Sequence, residues 1–376
     1  VAIRRTLTSA APAAAALTLW ACSHGEPFAH DPARADTARL AGNPAQITYS
    51  VADDRTAAWL PDGSGIVYSS ERTDRSDHDR CLAVLPPGGG TIVRRVCDGD
   101  ATRADSVDRY ESPAVSADGR LAMLRVVAGL TERKGGRGGI VVTDWSRPGA
   151  LRLVHPLDYP SPTGKLHGTA AHIAWLSSTR LVWLGQRLFY EGSTFLPDTF
   201  VTGLEVMRAD LSESGATVQP VPGTEWASSV APGPSAEEIF VTIAGDSRVY
   251  RVHVGTGERT VVYDAGEIVR EVQVRGNMLV AIVGRSVVAR VEPAQLNSLV
   301  QRDEGGDLLV VDLAGGEAQR IAHDDWLYRR PALSPDGRSV VVERAPFAPP
   351  VLQATSDYTA LNHRPDLWLF RLQPAQ

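Results

Sequence analysis

The chain has 376 residues, 43% hydrophobic and 22% charged, enough apolar side chains to bury a large core and too many for a disordered chain. Lysine and arginine total 38 against 44 aspartate and glutamate, a formal net charge of −6, which argues against a polyanion such as DNA as the general partner. Only Lys134 and Lys165 are lysines, and no arginine run accompanies the bias, so nucleic acid is not expected.

At the N-terminus, Arg4 and Arg5 form a short positive region and residues 7–21 follow without a charge. That is the length of a signal-peptide apolar segment and too short to span a bilayer. The run closes on Leu19-Trp20-Ala21-Cys22, which resembles the lipobox of bacterial lipoproteins, where the cysteine becomes the lipid-bearing first residue. The resemblance implies a signal peptide over residues 1–21 and a membrane anchor on Cys22; the residues alone also fit an ordinary secretory signal and a soluble exported protein. Without residues 1–21 the chain keeps 36 basic and 44 acidic residues, a charge of −8. Ser23 stands where inner-membrane lipoproteins carry aspartate, so the resemblance further implies the outer membrane, facing the periplasm. Residues 22–44, rich in Ala, Pro, Asp and His without an apolar period, are expected to form a flexible tether with His24 and His30 in solvent.

Beyond Cys22 only Cys81 and Cys97 remain. Cys81 to Leu85 and Ile92 to Cys97 read as two strands around Pro86-Pro87-Gly88-Gly89-Gly90, whose midpoint puts the cysteines opposite each other. A cross-strand pair is close enough for a disulfide, which an oxidising compartment permits. Free thiols or a one-residue register slip are the alternatives, and the lack of Cys-x-x-Cys argues against redox catalysis.

Self-similar segments follow: Trp59-Leu-Pro-Asp-Gly-Ser64, Val115-Ser-Ala-Asp-Gly-Arg120 and Leu333-Ser-Pro-Asp-Gly-Arg338, each between two apolar strands. Degenerate copies at 172–183, 229–241 and 272–281 make six, and second strand pairs at 247–263 and 308–321 give four strands per unit. The pattern predicts an all-β, six-bladed β-propeller over residues 45–373. Its last blade ends at Asp366–Leu372 without a fourth strand, so Gln46–Ser50 is expected to close the ring. The repeats resemble the WD40-like repeats of the TolB family of periplasmic propellers, strongly in blades one, two and six and weakly between. That resemblance implies the fold and carries no chemistry. TolB pairs its propeller with an N-terminal α/β domain, in whose place this sequence has the tether, so the Tol-Pal role is not carried over.

Strands alternate up and down within a blade, so second-to-third loops and interblade links share one face. The extended segments 71–80, 129–139, 185–202, 285–306 and 344–365 all fall between second and third strands, which marks this face as a binding surface. At the start of each inner strand stand Asp54 and Arg55, Tyr110 and Glu111, His172, Glu225 and Trp226, Arg270 and Glu271, and Tyr328, Arg329 and Arg330. These are expected to ring the channel mouth, and charge mixed with Tyr and Trp suits recognition. The alternative is that Trp226 and Tyr328 pack between blades and the charges pair with one another.

Catalytic signals are thin. Gly233-Pro-Ser-Ala-Glu237 only approaches a nucleophile elbow, Asp74-Arg-Ser-Asp-His-Asp79 lacks the order of a calcium loop, and His323-Asp324-Asp325 is ambiguous. No metal, cofactor or catalytic residue is expected. The sequence reads as a monomeric, lipid-anchored envelope propeller that binds or scaffolds a protein or peptide. The alternative is a propeller lyase or hydrolase, or a small-ligand or carbohydrate binder, using the channel mouth with His172 and nearby acids.

Overall fold

The structure, a computed structural model, describes residues 40–49, 54–71, 80–97, 106–129, 137–148, 151–156, 171–193, 196–284, 286–291, 299–304, 306–315, 318–322, 326–346 and 366–373. The signal segment, Cys22, the acidic stretch 74–79 and His323-Asp324-Asp325 lie outside the described residues. Among the described residues every regular element is a β-strand.

Four separate four-stranded sheets are present, with an eight-stranded path and an isolated two-stranded hairpin. The eight-stranded path divides into two antiparallel four-stranded groups, over 54–96 and 106–156, joined by one parallel pair, Arg80 with Arg109. The described residues thus form six four-stranded units, whose inner strands are Asp54–Trp59, Ser106–Val115, Ala171–Ser177, Ala227–Pro232, Val269–Arg275 and Trp326–Leu333.

The core explains why the second and third strands read as unbroken apolar runs rather than alternating ones. Successive residues point to opposite faces of a blade, and each face packs on a neighbouring blade. In the first blade Ile66 and Tyr68 join Leu367 and Leu369 of the last blade, while Val67 between them joins Leu121 and Met123 of the second. Six apolar clusters each span one junction between neighbouring blades, and the cluster between last and first closes the circle.

Closure is made by the N-terminal segment. Ala45–Gln46 pairs with Asp366–Arg371, and the Ile47 amide donates to the Leu367 carbonyl at 2.8 Å. Leu40, five residues before the boundary expected at 45, also sits in the core and bridges Leu372. An apolar side chain beside an open blade edge has more to gain from docking than from a tether's freedom.

The repeated turn motif owes its persistence to local hydrogen bonds. Ser334 Oγ donates to Asp336 Oδ1 at 2.6 Å and accepts from the Ser339 amide at 2.9 Å. Ser116, Asp118 and the Arg120 amide repeat the arrangement. Gly63, Gly119 and Gly337 follow in the left-handed region, where a side chain would strain the turn.

Cys81 and Cys97 are disulfide-bonded, tying the three-residue outer strand Arg94–Val96 to its neighbour. The bond closes a loop with a sequence separation of 16. Cys81→Ser/Cys97→Ser is expected to lower the unfolding free energy by about 3 kcal/mol, read by urea denaturation, with residues 94–97 gaining the most amide exchange.

Candidate functional site

Each inner strand carries an irregularity in its pairing, between Arg55 and Ala58, Glu111 and Ala114, Ala171 and Ala174, Ala227 and Ser229, Val269 and Glu271, and Arg329 and Ala332. At this level Thr56, Ser112, His172 and Arg330 take φ of 51°, 51°, 56° and 48°, and Trp226 in the fourth blade takes 65°. A left-handed non-glycine residue costs roughly 1–2 kcal/mol, so a ring of them needs compensating bonds.

Those bonds run from blade to blade. The Ser112 amide donates to Thr56 Oγ1 at 3.1 Å, the Thr56 amide to Glu343 Oε1 at 2.6 Å, and the Arg330 amide to Glu271 Oε2 at 2.7 Å. Each reaches the preceding blade, so the bulges stitch the inner strands into a collar.

Glu343, fully buried, is the centre of the collar. It ends the Val340–Val342 run on the second strand of the last blade, accepts a hydrogen bond from Arg330 Nη1 at 3.1 Å and forms an ion pair with Arg329 Nε at 3.3 Å. Burial would raise its pKa; Arg330, Arg329 and the Thr56 amide outweigh that and hold it below the ordinary glutamate value. Glu271 is the opposite case, pushed up to about 7 by burial against the pull of Arg330. His172 is pushed down to about 4 by burial and by Arg330, so its imidazole is neutral at pH 7.

Folded Glu271 holds its proton more tightly than the unfolded chain does, so its contribution makes stability fall as pH rises from about 4.5 to about 7. Glu271→Gln is therefore expected to stabilise the protein at pH 8, by on the order of 3 kcal/mol, and to change little at pH 4. Thermal unfolding of both proteins across that range checks it. His172 acts in the opposite sense, with stability falling as pH drops from 6.5 toward 4.

The residues expected at the mouth have these surroundings. Asp54 and Tyr110 are buried, Tyr110 within the cluster between blades one and two. Glu111 pairs with Arg80 at 2.9 Å. Arg270 donates to the Gly284 carbonyl at 2.8 Å, and Arg329 and Arg330 belong to Glu343. Arg55 also acts on Glu343, and its side chain is only partly accessible. Trp226 is 42% exposed, whereas Tyr328 packs between blades five and six. The start of a strand faces the channel but lies under the bulge, where the neighbouring blade supplies partners.

A cavity of about 340 Å³ occupies the other end of the channel. All six inner strands line it, always from the collar toward the first-to-second turns, and of the twelve residues expected at the mouth only His172 and Arg330 take part. Trp59, Trp175 and Arg275, which lie inside the repeat segments, are lining residues outside the ring expected at the mouth. Among the described residues no group of three or more His, Cys, Asp or Glu is placed to hold a metal ion.

The link face carries the extensions. Blade three continues as a long hairpin, Arg180–Ser193 with Leu196–Leu211, blade two as Arg120–Gly129 with Arg137–Asp144, and blade five adds Ser286–Val291 with Leu299–Glu304. Blade four turns tightly between Ile243 and Arg248 instead.

Fold and channel together define a β-propeller. No protein-family profile matches the chain, and no curated protein matches it. Among solved structures it is similar to XC5397 from Xanthomonas campestris, described as a gluconolactonase, with TM-score 0.52 and 14% identity over 90% of this chain and 94% of that one. It is similar also to a protein assigned as TolB from Agrobacterium tumefaciens, with TM-score 0.50 and 14% identity over 88% and 93%. For TolB from Acinetobacter baumannii the TM-score is 0.49 at 14% identity, over 82% of this chain and 64% of that one, so the chain spans less than two thirds of that relative. At these identities the likeness establishes the fold alone.

Proposed function

We propose that the chain is an exported, lipid-anchored propeller of the bacterial envelope that binds a protein partner on its link face without catalysing a reaction. The one-sided distribution of extensions carries this reading. Hairpins add nothing to a ring already closed by packing, whereas they enlarge the surface beside the exposed Trp226 at the low fourth blade. The Cys81–Cys97 bond supports an oxidising compartment, and Leu19-Trp20-Ala21-Cys22 supports an anchor on Cys22. The internal pairing of Glu343 with Arg329 and Arg330 favours a structural role for the collar charges.

The test is in-cell crosslinking of the tagged protein followed by mass spectrometry of what copurifies. One envelope protein is expected with the wild type, to be lost when Trp226→Ala is combined with shortening of the blade-three hairpin, at unchanged Tm. If nothing is enriched where known envelope complexes are captured, the binding-module reading fails.

One observation favours a second reading, a channel enzyme. Glu271 and Glu343 share Arg330 and have proton affinities pushed apart, as an acid and base pair requires. Turnover abolished by Glu271→Gln with folding intact would decide for it.

A further inference from the structure

The cavity at the turn end of the channel is separate from the link face and has a chemistry of its own. Its walls include Trp59 and Trp175. The Trp59 indole donates to the Ala332 carbonyl at 2.9 Å and the Trp175 indole to the Ala114 carbonyl at 3.0 Å, both in the preceding blade. The rings are thus fixed in the wall with their one polar atom engaged, and they act as apolar surface.

Two guanidinium groups reach this space. Arg330 is neutralised by Glu343. Arg275, at the turn of the fifth blade, makes only a 3.3 Å contact from Nη1 to the Val274 carbonyl, and among the described residues no carboxylate pairs with it. The residue is exposed at the rim of this space. The acids of the neighbouring turns are committed elsewhere: Asp62 to Ser64, Asp118 to Ser116, and Asp336 to Ser334 and the Arg338 amide. A cation without a counter-ion beside an apolar enclosure is a site for an anion.

We infer that the turn end of the channel binds a small organic carboxylate, its charged end on Arg275 and its apolar or aromatic body against Trp59 and Trp175. A volume of about 340 Å³ matches a molecule of one or two rings. The neutral imidazole of His172 and the Gln273 side chain supply uncharged polar lining at the inner end and the side.

The test is calorimetric titration of the full chain with benzoate and indole-3-acetate, and with their amides benzamide and indole-3-acetamide. At least one carboxylate is expected to bind and raise Tm, its amide at least about tenfold more weakly. Arg275→Gln, a rim substitution expected to leave the unliganded Tm unchanged, should weaken carboxylate binding about ten- to a hundredfold. Arg275→Lys keeps the charge and should recover part of the loss. The inference is overturned if neither carboxylate binds at millimolar concentration, if the amides bind as well, or if Arg275→Gln binds like the wild type. Partner capture on the link face should be indifferent to Arg275→Gln, so the two readings stand or fall separately.

Discussion

Glu343→Gln is expected to lower the unfolding free energy by about 3–5 kcal/mol, the largest effect of any single substitution in the collar. The amide keeps the size of the carboxylate and can still accept from the Thr56 amide. It cannot balance Arg329 and Arg330, which meet at this one fully buried group. Arg329 would then lose its carboxylate, and Arg330 would be left with Glu271 and Glu111 as its acidic neighbours. The same substitution loosens the bond that offsets the left-handed conformation at Thr56. Urea denaturation measures the loss. A change under about 1 kcal/mol would mean that water reaches the collar and that the pair behaves as a surface pair.

Removal of residues 40–49 is expected to cost at least as much. A chain beginning at residue 50 loses Leu40 and Ile47 from two apolar clusters, about 1.5–3 kcal/mol each when fully buried. It also loses the bonds from the Ile47 amide to Leu367, from the Ala41 amide to Arg371 and from the Leu367 amide to Thr48 Oγ1. The strand Asp366–Arg371 becomes an open edge, so aggregation should accompany the fall in Tm. Against a total of roughly 5–15 kcal/mol for a folded domain, the shortened chain should be close to unfolding at 37 °C. A chain beginning at residue 40 should match the longer protein.

The propeller was legible because its turns repeat a Ser and Asp hydrogen-bonding device and its middle strands bury both faces. Blades three to five dispense with the Asp-Gly-Arg sequence yet keep the apolar strands, as in Leu279–Val283, and these suffice for packing. The closing strand was visible as an unmatched segment at the far end of the chain, and Leu40 adds a bridge to Leu372 outside that segment. The collar was not legible. Glu343 meets the Thr56 amide across 287 positions and Arg330 across 13, and nothing near Glu343 marks its partners. Its one local signal is an acid that ends a triple-valine run in a core strand. The partners of the expected mouth residues were not legible either, because they come from neighbouring blades, as where Tyr110 packs in the cluster between blades one and two. Arg275 sits at an uninformative turn, and only the assembled ring makes it line one cavity with Trp59 and Trp175.

The most direct test of the binding reading is site-specific photocrosslinking in cells, one probe position at a time on each face. On the link face the probe replaces Trp226, Thr199 or Val288; on the turn face it replaces Ser64, Ser178 or Thr256. The account predicts one envelope protein crosslinked from link-face positions and none from turn-face positions. Crosslinks that arise from the turn face, or equally from both, would contradict it.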